Sequence, residues 1–256
     1  MNATAKTGKT VIRTVNHIID MLVLTVILLL LAFGCYVMWD SNQIHSAASS
    51  MRYERYKPTI EDNDGANFKQ LQELNPDVIG WLTVYGTNID YPVVQGRDNI
   101  KYVNTNAEGR HSLSGAIFLD YRNNPDFMDF NNILYGHHME NRVMFGEITS
   151  FSDADFFNAR RYGMLFADGQ MYGLEFFAYV HVDANDTRVF RTNITTDEGR
   201  QNYLDLLMDM AVITRDASVT VADKIVLLST CSPNSTNGRD ILVGRIIDIL
   251  PEDPFR

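Results

Sequence analysis

The sequence predicts a mainly β domain, closed or nearly closed into a barrel, behind one N-terminal transmembrane helix. Three observations carry this reading. Met21 to Trp39 is apolar and uncharged; from Val78 onward short β-branched and aromatic runs alternate with Gly and Asn; and a single stretch near residue 200 has clear helical periodicity.

At 256 residues and 45% hydrophobic content, the chain supports one sizeable core with accessory segments, or at most two small domains. Its formal net charge is -10, and no cluster of Lys and Arg is present to hold a phosphate backbone. Nucleic acid is therefore excluded as a partner, and peptides or proteins are expected instead.

As a helix rising about 1.5 Å per residue, residues 21–39 match the roughly 30 Å hydrocarbon core of a bilayer. Lys6, Lys9 and Arg13 precede this run, and the first basic residue after it is Arg52. The positive-inside bias then makes 1–20 a cytoplasmic tail, 21–39 the anchor, and everything beyond extracellular. A cleavable signal peptide has a shorter apolar core and an A-x-A-like site, and neither fits. Ala32-Phe33-Gly34-Cys35 matches a lipoprotein box only loosely.

Residues 40–74 read as a polar stalk leading into a helical segment. Within it, Glu61-Asp62-Asn63-Asp64-Gly65 invites a calcium-loop reading, but with Gly65 in the sixth place the first and twelfth ligands would be Ile60 and Leu71. That reading fails, and no metal or other cofactor is expected. Residues 75–256 form the main domain. Strands are predicted at VIGWLTV, IDYPVV, AIFLDY, NNILYG, RYGMLF, MYGLEFFAYVHV, KIVLLST and ILVGRIIDI, with Asp168-Gly169 as a hairpin turn between two of them. One helix interrupts them: Thr195 and Glu198 form a capping box, and Tyr203, Leu206, Leu207 and Met210 make its apolar face.

Only two cysteines exist. Cys35 falls in the membrane run, so Cys231 stands alone outside and has no disulfide partner. It is either a buried inert thiol or a working one. Cys231 ends the apolar run Lys224 to Thr230 and opens a polar loop. His137 and His138 follow NNILY at a similar strand-to-loop junction, where an imidazole beside a thiol would lower the thiol pKa and supply an acid. The doublet leaves open which ring serves. Arg239, at the start of the strand after the Cys loop, is a permanently charged donor suited to an oxyanion, with Arg245 its competitor on the same strand face.

Leu228-Ser229-Thr230-Cys231 followed by Gly238-Arg239 resembles the active-site strand, loop and arginine of sortases. The resemblance is to class B: Asn75-Pro76-Asp77-Val78-Ile79-Gly80-Trp81, Tyr91-Pro92-Val93-Val94-Gln95-Gly96, Gly115 to Asn123 and Ile133-Leu134-Tyr135-Gly136-His137-His138 occur in that class's order. It implies an eight-stranded sortase-type barrel with N-terminal helices and one helix inserted between later strands, and makes 75–256 a catalytic domain. It also implies Cys231 as nucleophile, His137 rather than His138 as proton partner, and Arg239 as oxyanion donor. Asn99, Tyr135, Ser229 and Thr230 match positions lining the groove for a sorting-signal peptide. Leu227 and Ser232 depart from the family pattern.

The implied reaction is cleavage of a C-terminal sorting signal of a surface protein through a Cys thioester. The acyl group then passes to an amine of a cell-wall precursor or, alternatively, to a pilin lysine. Two readings of other kinds stand beside it: an exported cysteine hydrolase, which needs the same thiol and imidazole, and an inactive membrane-tethered barrel that only binds peptides.

Overall fold

The computed structural model describes residues 3–59, 66–231 and 237–255. The acidic stretch 61–65 and the loop at 232–235 lie outside the described residues. The chain divides into two compact units, Met1–Ser46 and Ala47–Arg256.

The first unit belongs to helix α1, Ala3–Ala48. Within it, the 27-residue stretch Arg13–Trp39 holds an 18-residue window of mean hydropathy 2.7, and is long and apolar enough to cross a membrane. Its large hydrophobic side chains, Leu22 to Leu31 among them, are all exposed, as an unpartnered bilayer helix requires. The expected span 21–39 lies inside it.

The second unit contains α2 (Ala66–Leu74), β1 (Val78–Val84), β2 (Asp90–Val94), β3 (Ile117–Leu119), β4 (Asn131–Tyr135), α3 (Ala154–Ala159), β5 (Tyr162–Ala167), β6 (Gln170–Asp183), α4 (Asp197–Met210), β7 (Ala211–Thr214), β8 (Ile225–Cys231) and β9 (Gly238–Ile247). The strands pair in the order β5-β1-β2-β3-β4-β8-β9-β6-β7, and β5 also pairs with β6. That extra pairing closes eight strands into a barrel and leaves β7 as a short flap on β6. Closure removes the free edges that an open sheet would expose. Asp168 and Gly169 both take positive φ, 48° and 74°, in the two-residue turn that joins β5 to β6.

Barrel closure also explains the strand patterns. β8 reads as an unbroken apolar run because both its faces are covered. Val226 and Leu228 join the cluster containing Trp81, Leu82 and Phe176. Ile225 and Leu227 join a second cluster with Tyr203, Leu204 and Leu207 of α4. Helix α4 therefore lies on the outer face of the barrel beside β6, and its apolar side chains share this cluster with β4, β8 and β9.

Two sequence expectations need correction. The cap of α4 is Thr196, whose hydroxyl accepts from the Gly199 N–H at 3.1 Å, one residue beyond the predicted Thr195. Its buried face is Tyr203, Leu204 and Leu207, with Leu206 and Met210 only half-buried, so the stripe is turned toward Leu204. The segment expected to be a stalk is also better anchored than its polarity implies. Tyr53 and Tyr56 are buried in the main core, and Lys57 pairs with Asp90 at 2.6 Å.

Candidate active site

β4 and β8 run parallel, with Tyr135 opposite Ser229, so both strands finish at the same end of the barrel. β9 runs antiparallel to β8, so it begins where β8 finishes, and Arg239 is directly opposite Cys231. Side chains of directly paired residues share a face. The thiol and the guanidinium are therefore cross-strand neighbours. Gly136 extends the β4–β8 pairing by donating to the Ser229 carbonyl at 3.2 Å, and His137 follows at once.

Gly136 must be glycine at this place: a Cβ would lie 2.5 Å from Ile117 Cδ1 and 2.7 Å from Phe145 Cδ2. The chain behind His137 is fixed by the Phe145 N–H donating to the His137 carbonyl at 3.0 Å. His137 Nε2 is 2.8 Å from the Val103 carbonyl. A carbonyl only accepts, so Nε2 carries the hydrogen and Nδ1 is the ring nitrogen left for chemistry.

One cavity of about 540 Å³ receives all seven residues singled out from the sequence: Asn99, Tyr135, His137, Ser229, Thr230, Cys231 and Arg239. His138 is not among its lining residues, nor is Arg245. The latter lies opposite Ile225, at the far end of the strand pair, and holds Glu175 through Nε at 2.8 Å. Cys231 is exposed, and Arg239 is half-buried with Nη1 donating to its neighbour's carbonyl, Gly238 O, at 3.0 Å. The hydroxyls of Ser229 and Thr230 are buried and have no hydrogen-bond partner among the described residues. Thr230 borders the cavity although strand alternation turns its side chain toward the face of its partner Asp240.

Sequence reading missed several parts of this cavity. Phe118 and Phe190 flank Tyr135, with ring centroids at 5.4 and 6.3 Å, and form an aromatic wall. Ala184, Thr187, Phe190 and Arg191 come from the irregular connection between β6 and α4, which carries no periodic signal. Arg122, also lining the cavity, is paired to buried Asp120 at 2.7 Å. Burial raises the Tyr135 pKa, and the neighbouring Asp120 carboxylate raises it further. Its hydroxyl is therefore a neutral hydrogen-bonding group throughout the working range.

An exposed thiol, an imidazole and a guanidinium around one aromatic-walled cavity are the parts of a cysteine acyl-transfer enzyme. A Sortase domain family model matches residues 82–247, and the chain belongs to the sortase family of cysteine transpeptidases. Its relatives are of class B. Sortase B of Staphylococcus aureus is 33% identical over 184 residues, covering 71% of this chain and 75% of that protein. The crystal structure of sortase B from the type II pilus of Streptococcus pneumoniae is 49% identical with a TM-score of 0.63, covering 71% of this chain and 99% of that one. A Streptococcus pyogenes class B sortase involved in pilus biogenesis is 39% identical with a TM-score of 0.65, covering 71% and 98%.

Proposed function

We propose that the Cys231 thiolate attacks a backbone carbonyl in the C-terminal sorting signal of a surface protein, releasing the downstream peptide and leaving a thioester that an amine then resolves. The observation that carries this is the placement of Cys231 opposite Arg239, with His137 entering the same cavity from the neighbouring parallel strand. His137 protonates the departing amine through Nδ1, because its Nε2 hydrogen is committed to Val103. General acid-base help of this kind is worth roughly 100-fold to 10,000-fold. Arg239 donates to the oxyanion. Asn99, Tyr135 and Ser229 hold the signal peptide along the groove, and the apolar helix 21–39 anchors the enzyme with its catalytic domain outside.

The acceptor has two readings. An amine of a cell-wall precursor would fix the surface protein to the wall, and a pilin lysine would extend a polymer. One observation favours the second: the two pilus-associated sortases are 49% and 39% identical to this chain, against 33% for the Staphylococcus aureus enzyme. The test is to incubate the full-length protein in detergent with a library of sorting-signal peptides and two acceptors, a cell-wall precursor amine and a lysine-bearing pilin peptide. Mass spectrometry then reads the products. Amide-linked product supports transpeptidation and names the acceptor. Hydrolysis alone points to a cysteine hydrolase, and no cleavage leaves only a peptide-binding barrel.

A further inference from the structure

The donors and acceptors of the groove wall are set from behind by one carboxylate. Asp120 stands one residue beyond β3, with its backbone N–H bonded to the Ile133 carbonyl at 2.8 Å and no exposed surface. It does not line the cavity, yet three lining residues converge on it. Asn99 Nδ2 donates to Oδ2 at 3.0 Å, and the Tyr135 hydroxyl donates to the same oxygen at 3.1 Å. Arg122 donates with Nε to Oδ1 at 2.8 Å and with Nη2 to Oδ2 at 2.7 Å, and its backbone N–H adds a contact to Oδ1 at 3.0 Å. Burial works against this charge, but the donors of Arg122 and Asn99 outweigh it and hold the carboxyl below its ordinary range. The anion is thus a fixed acceptor.

A fixed acceptor dictates what its partners offer outward. Tyr135 has one hydroxyl hydrogen and spends it on Asp120, so toward the groove it presents only lone pairs. The Asn99 amide is held at both ends, since its Oδ1 accepts from the Tyr121 N–H at 3.0 Å. Its remaining free hydrogen is the second one on Nδ2. We propose that Asp120 is a positioning residue for signal-peptide recognition, orienting Tyr135 as an acceptor and Asn99 as a donor toward the bound peptide. The peptide therefore offers an N–H at Tyr135 and a carbonyl at Asn99. This rests on the transpeptidase reading above and deepens it by assigning the polarity of the groove wall.

The decisive variant is Asp120→Asn, which keeps the shape and replaces one acceptor with a donor. The substrate is whichever peptide the wild-type full-length protein cleaves fastest in a fluorescence-quenched pentapeptide library. KM is expected to rise at least about tenfold while kcat stays within about twofold, as for loss of an interaction made equally in ground and transition states. Iodoacetamide labelling of Cys231, resolved from Cys35 by peptide mapping, is expected at the wild-type rate. Adding Asn99→Ala and Tyr135→Phe to Asp120→Asn should cost less than the separate effects combined, because they share one pathway. An unchanged KM overturns the proposal. So does a parallel loss of kcat, labelling and thermal stability, which marks a purely structural role. If Asp120→Asn does not fold, Asn99→Ala and Tyr135→Phe decide: KM unchanged in both is refuting. Failure of the wild type to cleave any peptide removes the transpeptidase reading itself, an outcome distinct from a cleaved peptide with Asp120→Asn unaffected.

Discussion

Replacing Arg239 by Lys separates charge from geometry at the thiol. Arg239 is the direct cross-strand partner of Cys231, whereas Arg245 is six residues further along β9, about 20 Å away at the usual strand rise of 3.3 Å per residue. A lysine at 239 keeps the positive charge and loses the planar fork that fixes an oxygen in place. Removing an oxyanion donor outright costs about 2.7 to 4 kcal/mol, or roughly 100-fold to 1,000-fold in rate. Arg239→Lys is thus expected to lose about 100-fold in kcat/KM for peptide cleavage. Arg245→Lys touches a different structure: Glu175, itself buried, is held by Arg245 at 2.7 Å and also by Arg161 at 2.5 Å. With Arg161 still in place, that change is expected to cost about 1 kcal/mol of stability, a fall in Tm of roughly 2–4 °C, and to leave kcat/KM unchanged. The assay is steady-state cleavage of a quenched peptide, with thermal unfolding in parallel. A larger catalytic loss at Arg245 than at Arg239, or a silent Arg239→Lys, refutes the assignment of Arg239.

Cys231→Ala is expected to abolish thioester and product in mass spectra while leaving Tm unchanged, because the side chain is exposed; residual transpeptidation would sink the nucleophile assignment. His137→Ala should be similarly inactive and His138→Ala largely active, and the reverse ordering of initial rates would reassign the proton partner. Burial pushes the hydroxyls of Tyr53 and Tyr91 up to about 12 from an ordinary value near 10. Because the folded values are raised, the stabilisation is fully present below pH 10 and lost as pH rises through about 12, so urea unfolding followed by circular dichroism should show stability falling across that window. Full ionisation of all tyrosines by 295 nm absorbance below pH 11, with the fold intact, contradicts this. Protease added to intact cells should remove the domain beyond Asp40, and a domain protected until lysis reverses the proposed topology.

How much of this was legible depends on range. Strands were readable wherever β-branched runs met turn residues, and β8 was readable as apolar throughout because α4 covers one face and the barrel interior the other. β7 was not, since Ala211–Thr214 follows α4 without an intervening turn and inherits its periodicity. The cap of α4 was misplaced by one residue because Thr195 and Thr196 are chemically equivalent and the backbone turn chooses between them. At the site, proximity of Arg239 to Cys231 followed from a short loop between adjacent strands. The approach of His137 depends on a parallel pairing of segments some ninety residues apart, which local pattern does not encode; only the resemblance carried it. Asp120 was visible only as a letter in a motif, since its role arises from three partners brought together by the fold.

The register of β9 is what sets Arg239 beside Cys231 at this end of the barrel, and the sheet secures it from the reverse face. A slip of one residue between β8 and β9 would turn Arg239 away from Cys231 and bring Asp240 beside it. A carboxylate there would repel a developing oxyanion, where a guanidinium attracts it. Asp240 is instead buried on the other face, accepting from the Tyr179 hydroxyl at 2.7 Å and bonded to His181 Nδ1 at 2.7 Å. Both partners come from β6, which pairs with β9 along its length, with His181 opposite Asp240. A slip would strand a buried carboxylate away from its donors, a cost of about 1 to 3 kcal/mol or more for a charged group. The residue next to Arg239 thus fixes which side chain meets the thiol, although it never faces the groove.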